Sequence, residues 1–196
     1  MAMTQLAFFI DINKCIFCHS CTYACNNENG PKDLKRRKIL TVRQDHSEDT
    51  IHFSTSCNHC ETPACMTVCN KNALKKLRNG IVVLDKKKCN GCAKCVAVCP
   101  FQAIKIDNKT NKADKCDMCY RRLQKGQQPI CVEACIANAI YIDDITEKYP
   151  AEYRQTLKGY KMKTITNPST RFKFEREEKL KLWINAGDEV DGSTNN

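Results

Sequence analysis

The chain has little of what builds a large apolar core or a nucleotide site. Aromatic residues make up only 7% of its 196 residues, and it has seven glycines and a single tryptophan. The glycines form neither a G-x-G-x-x-G fingerprint nor a Walker pattern, so we expect no nucleotide site. No apolar run approaches the roughly 18–20 residues that cross a bilayer. Any membrane contact is therefore expected to go through a partner.

Cysteine, in contrast, is abundant: sixteen residues fall into four groups of four. We name these groups the first to fourth quartet, and they are, in chain order, Cys15, Cys18, Cys21 and Cys25; Cys57, Cys60, Cys65 and Cys69; Cys89, Cys92, Cys95 and Cys99; and Cys116, Cys119, Cys131 and Cys135. The first and third quartets have the spacing C-x2-C-x2-C-x3-C, and Pro100 follows the third. In bacterial ferredoxins, three thiolates of such a run hold one cluster and the fourth binds a neighbouring cluster. Four complete quartets predict four 4Fe–4S clusters and an electron carrier.

Two other uses of cysteine compete with this interpretation. A disulfide scaffold needs an oxidising compartment, and the first residues do not have the pattern of a secretory signal. Zinc is the stronger alternative, because C-x2-C pairs also occur in zinc sites. Three cysteines at strict x2 spacing suit a cubane better, so that only the second and fourth quartets leave room for zinc.

The positive charge of the chain is consistent with anionic clusters. The formal net charge is +10, and four oxidised clusters at about −2 each would reduce it to about +2. Lys14, Lys88 and Lys115 directly precede the first cysteine of a quartet, and they either offset the clusters or lie in solvated loops. The basic run at 35–38 is expected in a solvated loop, with an acidic partner surface as the alternative. A basic stripe interleaved with aromatics is absent, so nucleic acid is not expected as a partner.

Short strands and helices are expected around the quartets. The spacing from the third to the fourth cysteine matches one helical turn, so Cys21 and Cys25, or Cys95 and Cys99, would lie on a short helix. This offset carries the fourth cysteine away from the cluster that the first three hold. Asn79-Gly80 predicts a two-residue hairpin turn. The predicted strands are 7–12, 39–42, 51–55, 74–78, 81–85, 104–106 and 140–142.

The remaining chemistry of the sequence is weak. His19 and His59 raise the possibility of Rieske-type ligands, but every quartet is complete, so we expect polar loop residues near clusters. No nucleophile–base pair stands out, and the chain is not expected to be catalytic. After residue 142, a capping-box pattern predicts a helix from 144 to 157. An apolar cluster at 182–184 favours partner contact, and 187–196 are expected to be disordered.

Several segments together carry a family resemblance. They are Phe8-Phe9-Ile10-Asp11, Ser56-Cys57-Asn58-His59-Cys60, Pro63-Ala64-Cys65, Asn90-Gly91-Cys92, Lys115-Cys116-Asp117-Met118-Cys119 and Gln128-Pro129-Ile130-Cys131-Val132-Glu133-Ala134-Cys135. Over about residues 6–143 the chain resembles the iron–sulfur (B) subunit of dimethyl sulfoxide reductase. Related subunits serve polysulfide, thiosulfate, tetrathionate, arsenate and formate-linked molybdopterin enzymes.

The resemblance implies an α+β fold of two ferredoxin-like domains related by pseudo-symmetry. The outer domain comprises 1–47 with 108–143, the inner domain comprises 48–107, and 144–196 form an extended, partner-contacting tail. It also implies nested ligand sets: Cys15, Cys18, Cys21 and Cys135 for cluster one; Cys25, Cys116, Cys119 and Cys131 for cluster two; Cys57, Cys60, Cys65 and Cys99 for cluster three; and Cys69, Cys89, Cys92 and Cys95 for cluster four. Spacing alone supports the exchanged fourth ligand, but it does not choose nested over sequential pairing.

The implied partners are a molybdopterin catalytic subunit and an integral membrane quinol-oxidising anchor subunit in anaerobic respiration. The chain would relay electrons between them and be held at the membrane through them, on the periplasmic face after co-export with the catalytic subunit. The cytoplasmic face and the cytoplasm are the alternatives. A freestanding polyferredoxin that shuttles electrons by diffusion is the alternative function.

Overall fold

The computed structural model describes residues 4–30, 34–43, 50–146, 149–156 and 163–174. The strands in this part of the chain are β1 (Leu6–Asp11), β2 (Lys38–Arg43), β3 (Thr50–Thr55), β4 (Leu74–Lys76), β5 (Val82–Leu84), β6 (Ile104–Asp107), β7 (Lys112–Lys115), β8 (Ile140–Asp144) and β9 (Arg171–Lys173). The helices are α1 (Ser20–Glu28), α2 (Ala64–Thr67), α3 (Lys94–Val98), α4 (Tyr120–Leu123) and α5 (Ile130–Glu133). The fold is therefore a mixture of short helices and small sheets, and each predicted strand has a counterpart.

The central element is β1, which lies between β8 and β9 in a three-stranded sheet. It runs antiparallel to β8, with Phe8 opposite Ile142, and parallel to β9, with Ile10 opposite Phe172. Both of its faces are covered, which explains its nearly continuous apolar sequence. Phe8 and Ile10 belong to the main core, whereas Phe9 stacks on Tyr141 on the other face, with ring centroids 4.9 Å apart.

Three hairpins surround this sheet, formed by β2 with β3, β4 with β5, and β6 with β7. The turn of the second hairpin differs from the expected two-residue turn. The Gly80 N–H donates to the Leu77 carbonyl at 2.9 Å, and the Leu77 N–H donates to the Ile81 carbonyl at 2.9 Å. Gly80 has a φ of 80°, but Asn79 keeps a negative φ, and a type I′ turn needs positive φ at both positions. The loop is therefore longer than predicted, with glycine at its left-handed position.

The helices are short and begin within the cysteine loops. The expected helical turns between the third and fourth cysteines of the first and third quartets are confirmed as α1 and α3. Among the helices of the described residues, only α1 exceeds five residues, and Asn29 ends it by donating its side-chain N–H to the Cys25 carbonyl at 2.8 Å. None of the helices described here has the length and apolarity to span a bilayer.

The helix predicted from 144 to 157 is wrong in the described part of that segment. Asp144 ends β8, and its carboxylate accepts the Thr146 N–H at 2.9 Å, as in a side-chain-stabilised turn. Further on, Tyr153 packs edge-on against Phe9 at 5.3 Å between ring centroids. Contact with β1 therefore outweighs the local capping signal.

Candidate cluster-binding sites

Three small cavities in the described part of the chain have cysteines in their walls. Their volumes, which include the part open to solvent, are nearly equal at ≈ 370, ≈ 360 and ≈ 370 Å³. We name them by their cysteines: site one, with Cys15, Cys18, Cys21 and Cys135; site three, with Cys57, Cys60, Cys65 and Cys99; and site four, with Cys69, Cys89, Cys92 and Cys95. Each site combines three cysteines of one quartet with the fourth of another. Four thiolates around a cavity are the donor set of a 4Fe–4S cubane.

The remaining four cysteines also lie together, where α1 meets α5, and we name this group site two. Burial raises the pKa of Cys25 to about 12, and the charges of Cys116, Cys131 and Cys119 add to this rise. Burial likewise raises the pKa of Cys131 to about 11, again with a contribution from Cys116. These thiols are therefore protonated at neutral pH without metal, and ligation of iron must release their protons.

No group of three or more His, Cys, Asp or Glu side chains within the described ranges is arranged to hold a single metal ion. The cysteines of sites one, three and four are distributed around the cavity walls instead. Sulfur donors placed around a cavity in this way suit a multinuclear cluster.

A repeated turn follows the fourth cysteine of three quartets, with the sequence Cys-x-x-Asn/Gln-Ala. In each turn the Asn or Gln has positive φ, and the N–H of the alanine donates to the cysteine Sγ. The three N–H to Sγ pairs are Ala73 to Cys69 at 3.4 Å, Ala103 to Cys99 at 3.4 Å and Ala139 to Cys135 at 3.2 Å. The left-handed residues are Asn72, Gln102 and Asn138, with φ of 47°, 51° and 48°. This motif is present in the sequence but is easily missed beside the cysteines.

The exception is Cys25, which α1 carries into a longer helix. There the side chain of Asn29 donates to the Cys25 Sγ at 3.7 Å in place of a backbone N–H. Hydrogen bonds to sulfur are one of the means by which a protein tunes a cluster. Every fourth cysteine thus has a donor from the residue four positions later.

A second repeated feature precedes the second cysteine of every quartet. The residue at this position has positive φ in all four: Phe17 at 60°, His59 at 44°, Gly91 at 76° and Met118 at 56°. The left-handed bend turns the chain sharply between the first and second cysteines. For residues other than glycine this conformation is strained, and such strain is found at functional sites. Phe17 and Met118 carry no sequence signal for this bend, because Phe and Met are not typical left-handed residues.

Comparison with known proteins agrees with this geometry. The 4Fe-4S dicluster domain family matches residues 48–145. The B subunit of tetrathionate reductase from Salmonella typhimurium is 37% identical over 175 residues, which cover 84% of this chain and 70% of the relative. The B subunit of anaerobic dimethyl sulfoxide reductase from Escherichia coli K12 is 37% identical over 160 residues, with 74% and 78% covered. The thiosulfate reductase electron transfer subunit PhsB of Salmonella typhi is 37% identical over 149 residues, with 73% and 78% covered.

The chain belongs to the family of iron–sulfur electron-transfer (B) subunits. The resemblance expected from the sequence is thereby confirmed. Iron–sulfur clusters as cofactors are confirmed with it, as is a role in electron transfer instead of substrate chemistry.

The sequence predicted that the basic run at 35–38 lies in a solvated loop. In the structure, part of this run is buried instead. Arg37 is only 1% exposed. Its Nη1 donates to Ser54 Oγ at 2.9 Å, and its Nη2 donates to Ser56 Oγ at 3.0 Å. The guanidinium lies over the ring of Phe8, 4.4 Å from the ring centroid. The neighbouring Arg36 instead pairs with the Asp114 carboxylate at 2.5 Å.

The three lysines that precede quartets divide between the two interpretations that the sequence left open. Lys14 and Lys88 are exposed, whereas Lys115 is only 3% exposed. The Lys115 ammonium donates to the carbonyls of Val82 and Cys116 at 2.5 and 2.6 Å. Its charge counteracts the effect of burial on the pKa of Cys57 at site three. Of these three lysines, Lys115 is therefore the one placed to compensate the charge of a cluster site.

His59 is a buried neutral residue, not a solvated one. Its Nδ1 accepts the Val82 N–H at 3.0 Å, so the ring proton is on Nε2. Burial lowers its pKa well below 6.5, and the charges of Lys115 and Arg37 lower it further. A neutral imidazole is thus packed beside site three, with its Nδ1 already engaged as an acceptor.

Residues 163–174, which the sequence assigned to a partner-contacting tail, are part of the chain's own fold. β9 extends the central sheet, and the Thr166 hydroxyl donates to the Cys60 Sγ at 3.2 Å. Ser169 Oγ donates to the His59 carbonyl at 2.9 Å. The apolar cluster at 182–184 and the residues 187–196 lie outside the described residues. Thr166 is a site residue that no local sequence pattern indicates.

Proposed function

We propose that the chain carries four 4Fe–4S clusters and relays electrons between a membrane quinol-oxidising subunit and a molybdopterin catalytic subunit. In this proposal, the four cysteines of each site are the ligands of one cluster. The observation that supports it is that all sixteen cysteines lie at four sites, each of which draws on two quartets. Bound clusters supply one-electron carriers, and the protein holds them and sets their surroundings.

The sites follow one another in the order one, two, three, four. α1 carries Cys21 of site one and Cys25 of site two, and four residues of helix rise only about 6 Å. Sites two and three are close enough for the charge of Cys57 to raise the pKa of Cys116, after burial. α3 carries Cys95 of site four and ends at Cys99 of site three. Such a series suits the passage of electrons from one end to the other.

The ends of this series are the accessible sites. Cys18 at site one and Cys92 at site four are exposed, whereas the other fourteen cysteines are buried or half-buried. Beside site one, Ile16 and Ile136 are 62% and 73% exposed. Apolar side chains exposed around a redox site favour contact with a partner there.

We further propose the two ferredoxin-like domains that the resemblance implies. Sites one and two combine the first and fourth quartets in an outer domain, 1–47 with 108–143, and sites three and four combine the second and third in an inner domain, 48–107. The repeated turns after Cys69, Cys99 and Cys135 support an internal repeat. Residues 163–174 contact both domains, through β1 and through Cys60.

The partners are proposed from the relatives, which are named as B subunits of reductases. A catalytic subunit would lie at one end of the series and a membrane anchor at the other. The complex would be held at the membrane, on the periplasmic face by co-export with its catalytic subunit, in anaerobic respiration. Fractionation of cells with and without the catalytic subunit tests this location, because co-export predicts that the chain stays cytoplasmic when the catalytic subunit is missing.

Metal analysis tests the number of clusters. Anaerobic reconstitution should yield about sixteen iron atoms and sixteen acid-labile sulfides per chain, as four cubanes require. A yield near eight, or stoichiometric zinc, would contradict the proposal. Size-exclusion chromatography of native extract then separates a complex from a shuttle, because a freestanding polyferredoxin would elute at about the mass of one chain.

The substitution Cys99→Ser tests the exchange of fourth ligands. It should damage cluster three, because Cys99 lines site three, and it should spare cluster four, whose cavity is lined by Cys69. Serine oxygen is a harder and poorer ligand than thiolate, so loss of one iron or of the whole cluster is expected. Electron paramagnetic resonance after dithionite reduction reports the result, with Cys57→Ser and Cys89→Ser as references. A Cys99→Ser spectrum that matched Cys89→Ser would rule out the exchange.

A further inference from the structure

Arg37 places a permanent positive charge in the core, between site one and site two. Its side chain is fully enclosed, and its two terminal nitrogens are occupied by the neutral hydroxyls of Ser54 and Ser56. The third nitrogen, Nε, is buried and its N–H has no hydrogen-bond partner among the described residues. A buried donor that lacks an acceptor is costly, so an acceptor is expected in the complete protein.

The surroundings of Arg37 indicate what that acceptor is. The ionisable groups that act most strongly on the guanidinium are Cys131 and Cys116 at site two, followed by Cys21 and Cys25, and each carries negative charge once it is a thiolate ligand. The hydrogen bonds to Ser54 and Ser56 and the contact with Phe8 hold the guanidinium in place, which restricts the direction of the Nε–H. The acceptor chemistry available in this part of the core is therefore sulfur, either thiolate or the inorganic sulfide of a cluster.

Ser54 connects the same guanidinium to site one. Its Oγ accepts from Arg37 Nη1 at 2.9 Å and lies 3.2 Å from the Cys21 Sγ. When Cys21 is a thiolate ligand it has no proton to give, so the Ser54 hydroxyl must be the donor in this contact. A chain of donors thus runs from the guanidinium through Ser54 to Cys21.

We propose that Arg37 is a positioning residue that raises the reduction potentials of clusters one and two. In this proposal, which rests on the proposed four-cluster relay, the Nε–H donates to a sulfur at site two, and Ser54 transmits part of the effect to site one. Reduction adds an electron to a cluster that is already anionic. A buried cation and hydrogen bonds to sulfur stabilise that extra charge more strongly than they stabilise the oxidised state.

The test is a redox titration, with dithionite as reductant, of the reconstituted full-length chain, followed by paramagnetic resonance. Features are assigned to clusters with the first-cysteine variants. Arg37→Gln should make clusters one and two harder to reduce. Their one-electron equilibrium constants should fall at least tenfold, which lowers each potential by about 59 mV or more. Arg37→Lys keeps the charge but loses the planar fork, so its shift should be smaller. Ser54→Ala should lower cluster one alone.

The matched control is Lys35→Gln, which removes one positive charge from the same segment at an exposed position. It should leave all four potentials unchanged. Equal shifts in all clusters, or an Arg37→Gln protein with the same potentials as the Lys35→Gln control, would overturn the proposal. Where Arg37→Gln does not assemble, Arg37→Lys and Ser54→Ala carry the test. Iron and sulfide content of the unsubstituted chain is measured in parallel, so a failure of the four-cluster proposal is recognised separately.

Discussion

Thr166→Val is a nearly isosteric change that removes one hydrogen bond from site three. The Thr166 hydroxyl donates to the Cys60 Sγ at 3.2 Å, and Thr166 is only 6% exposed. Burial raises the pKa of Cys60, and the Thr166 hydroxyl counteracts this effect by stabilising the thiolate. Valine keeps the branched shape but leaves the sulfur without this donor, so cluster three is expected to become harder to reduce.

The magnitude follows from the change in charge on reduction. A hydrogen bond to a charged group contributes about 1.5–3 kcal/mol. If this contribution scales with a cluster charge that goes from about −2 to about −3, about one third of it, or roughly 0.5–1 kcal/mol, depends on the redox state. At about 59 mV per tenfold change in the equilibrium constant, cluster three should fall by about 20–45 mV.

The assay is the midpoint potential of cluster three, measured by paramagnetic resonance during a redox titration. Thr164→Val is the matched control, because Thr164 is exposed and lies two residues away in the same segment. Equal potentials of cluster three in the Thr166→Val and Thr164→Val proteins would contradict this prediction. An equal shift of all four clusters in Thr166→Val would also contradict it, since the hydrogen bond reaches only site three.

Two further predictions concern stability. Because folding lowers the pKa of His59, the unfolded chain binds a proton at this residue more readily than the folded chain does. The contribution of neutral His59 to the stability of the folded chain is therefore complete above pH 6.5. It is lost as the pH falls below 6.5, by about 1.4 kcal/mol per pH unit. Thermal loss of cluster absorbance at pH 7.5 and 5.5 should therefore show a smaller pH effect in His59→Gln than in the parent chain, and an equal effect would contradict this. Asn138 has a φ of 48°, so Asn138→Val should destabilise the turn at site one by about 1–3 kcal/mol, whereas Asn138→Gly should be tolerated. Equal iron retention by the two variants would show that the left-handed turn is not required.

The spacing of the cysteines along the chain allowed much of the local structure to be predicted from the sequence. Cysteines three or four positions apart lie on one loop or helical turn whatever the rest of the chain does, so the quartets, α1 and α3 could be predicted directly. The apolar run at 7–12 likewise predicted a strand, and the structure adds that both faces of β1 are covered. The hairpin turn was predicted less well. Of the two residues that the sequence indicated, Asn79 and Gly80, only Gly80 has a positive φ.

Long-range packing decided what surrounds the cysteines. The sequence left it open whether Lys115 is solvated, and it placed Arg37 in a solvated run, yet both are buried. A charged side chain becomes buried only when distant segments close around it, and Arg37 is held by two serines 17 and 19 residues away.

The position of Thr166 also depends on long-range packing, since its hydroxyl donates to the Sγ of Cys60, which is 106 residues away in the sequence. Such contacts depend on the pairing of β9 with β1, which no local pattern in the sequence specifies. The sequence by itself therefore determined where the cysteines are grouped along the chain, and only the tertiary structure decided which cysteines line the same cavity and which charges and donors lie beside them.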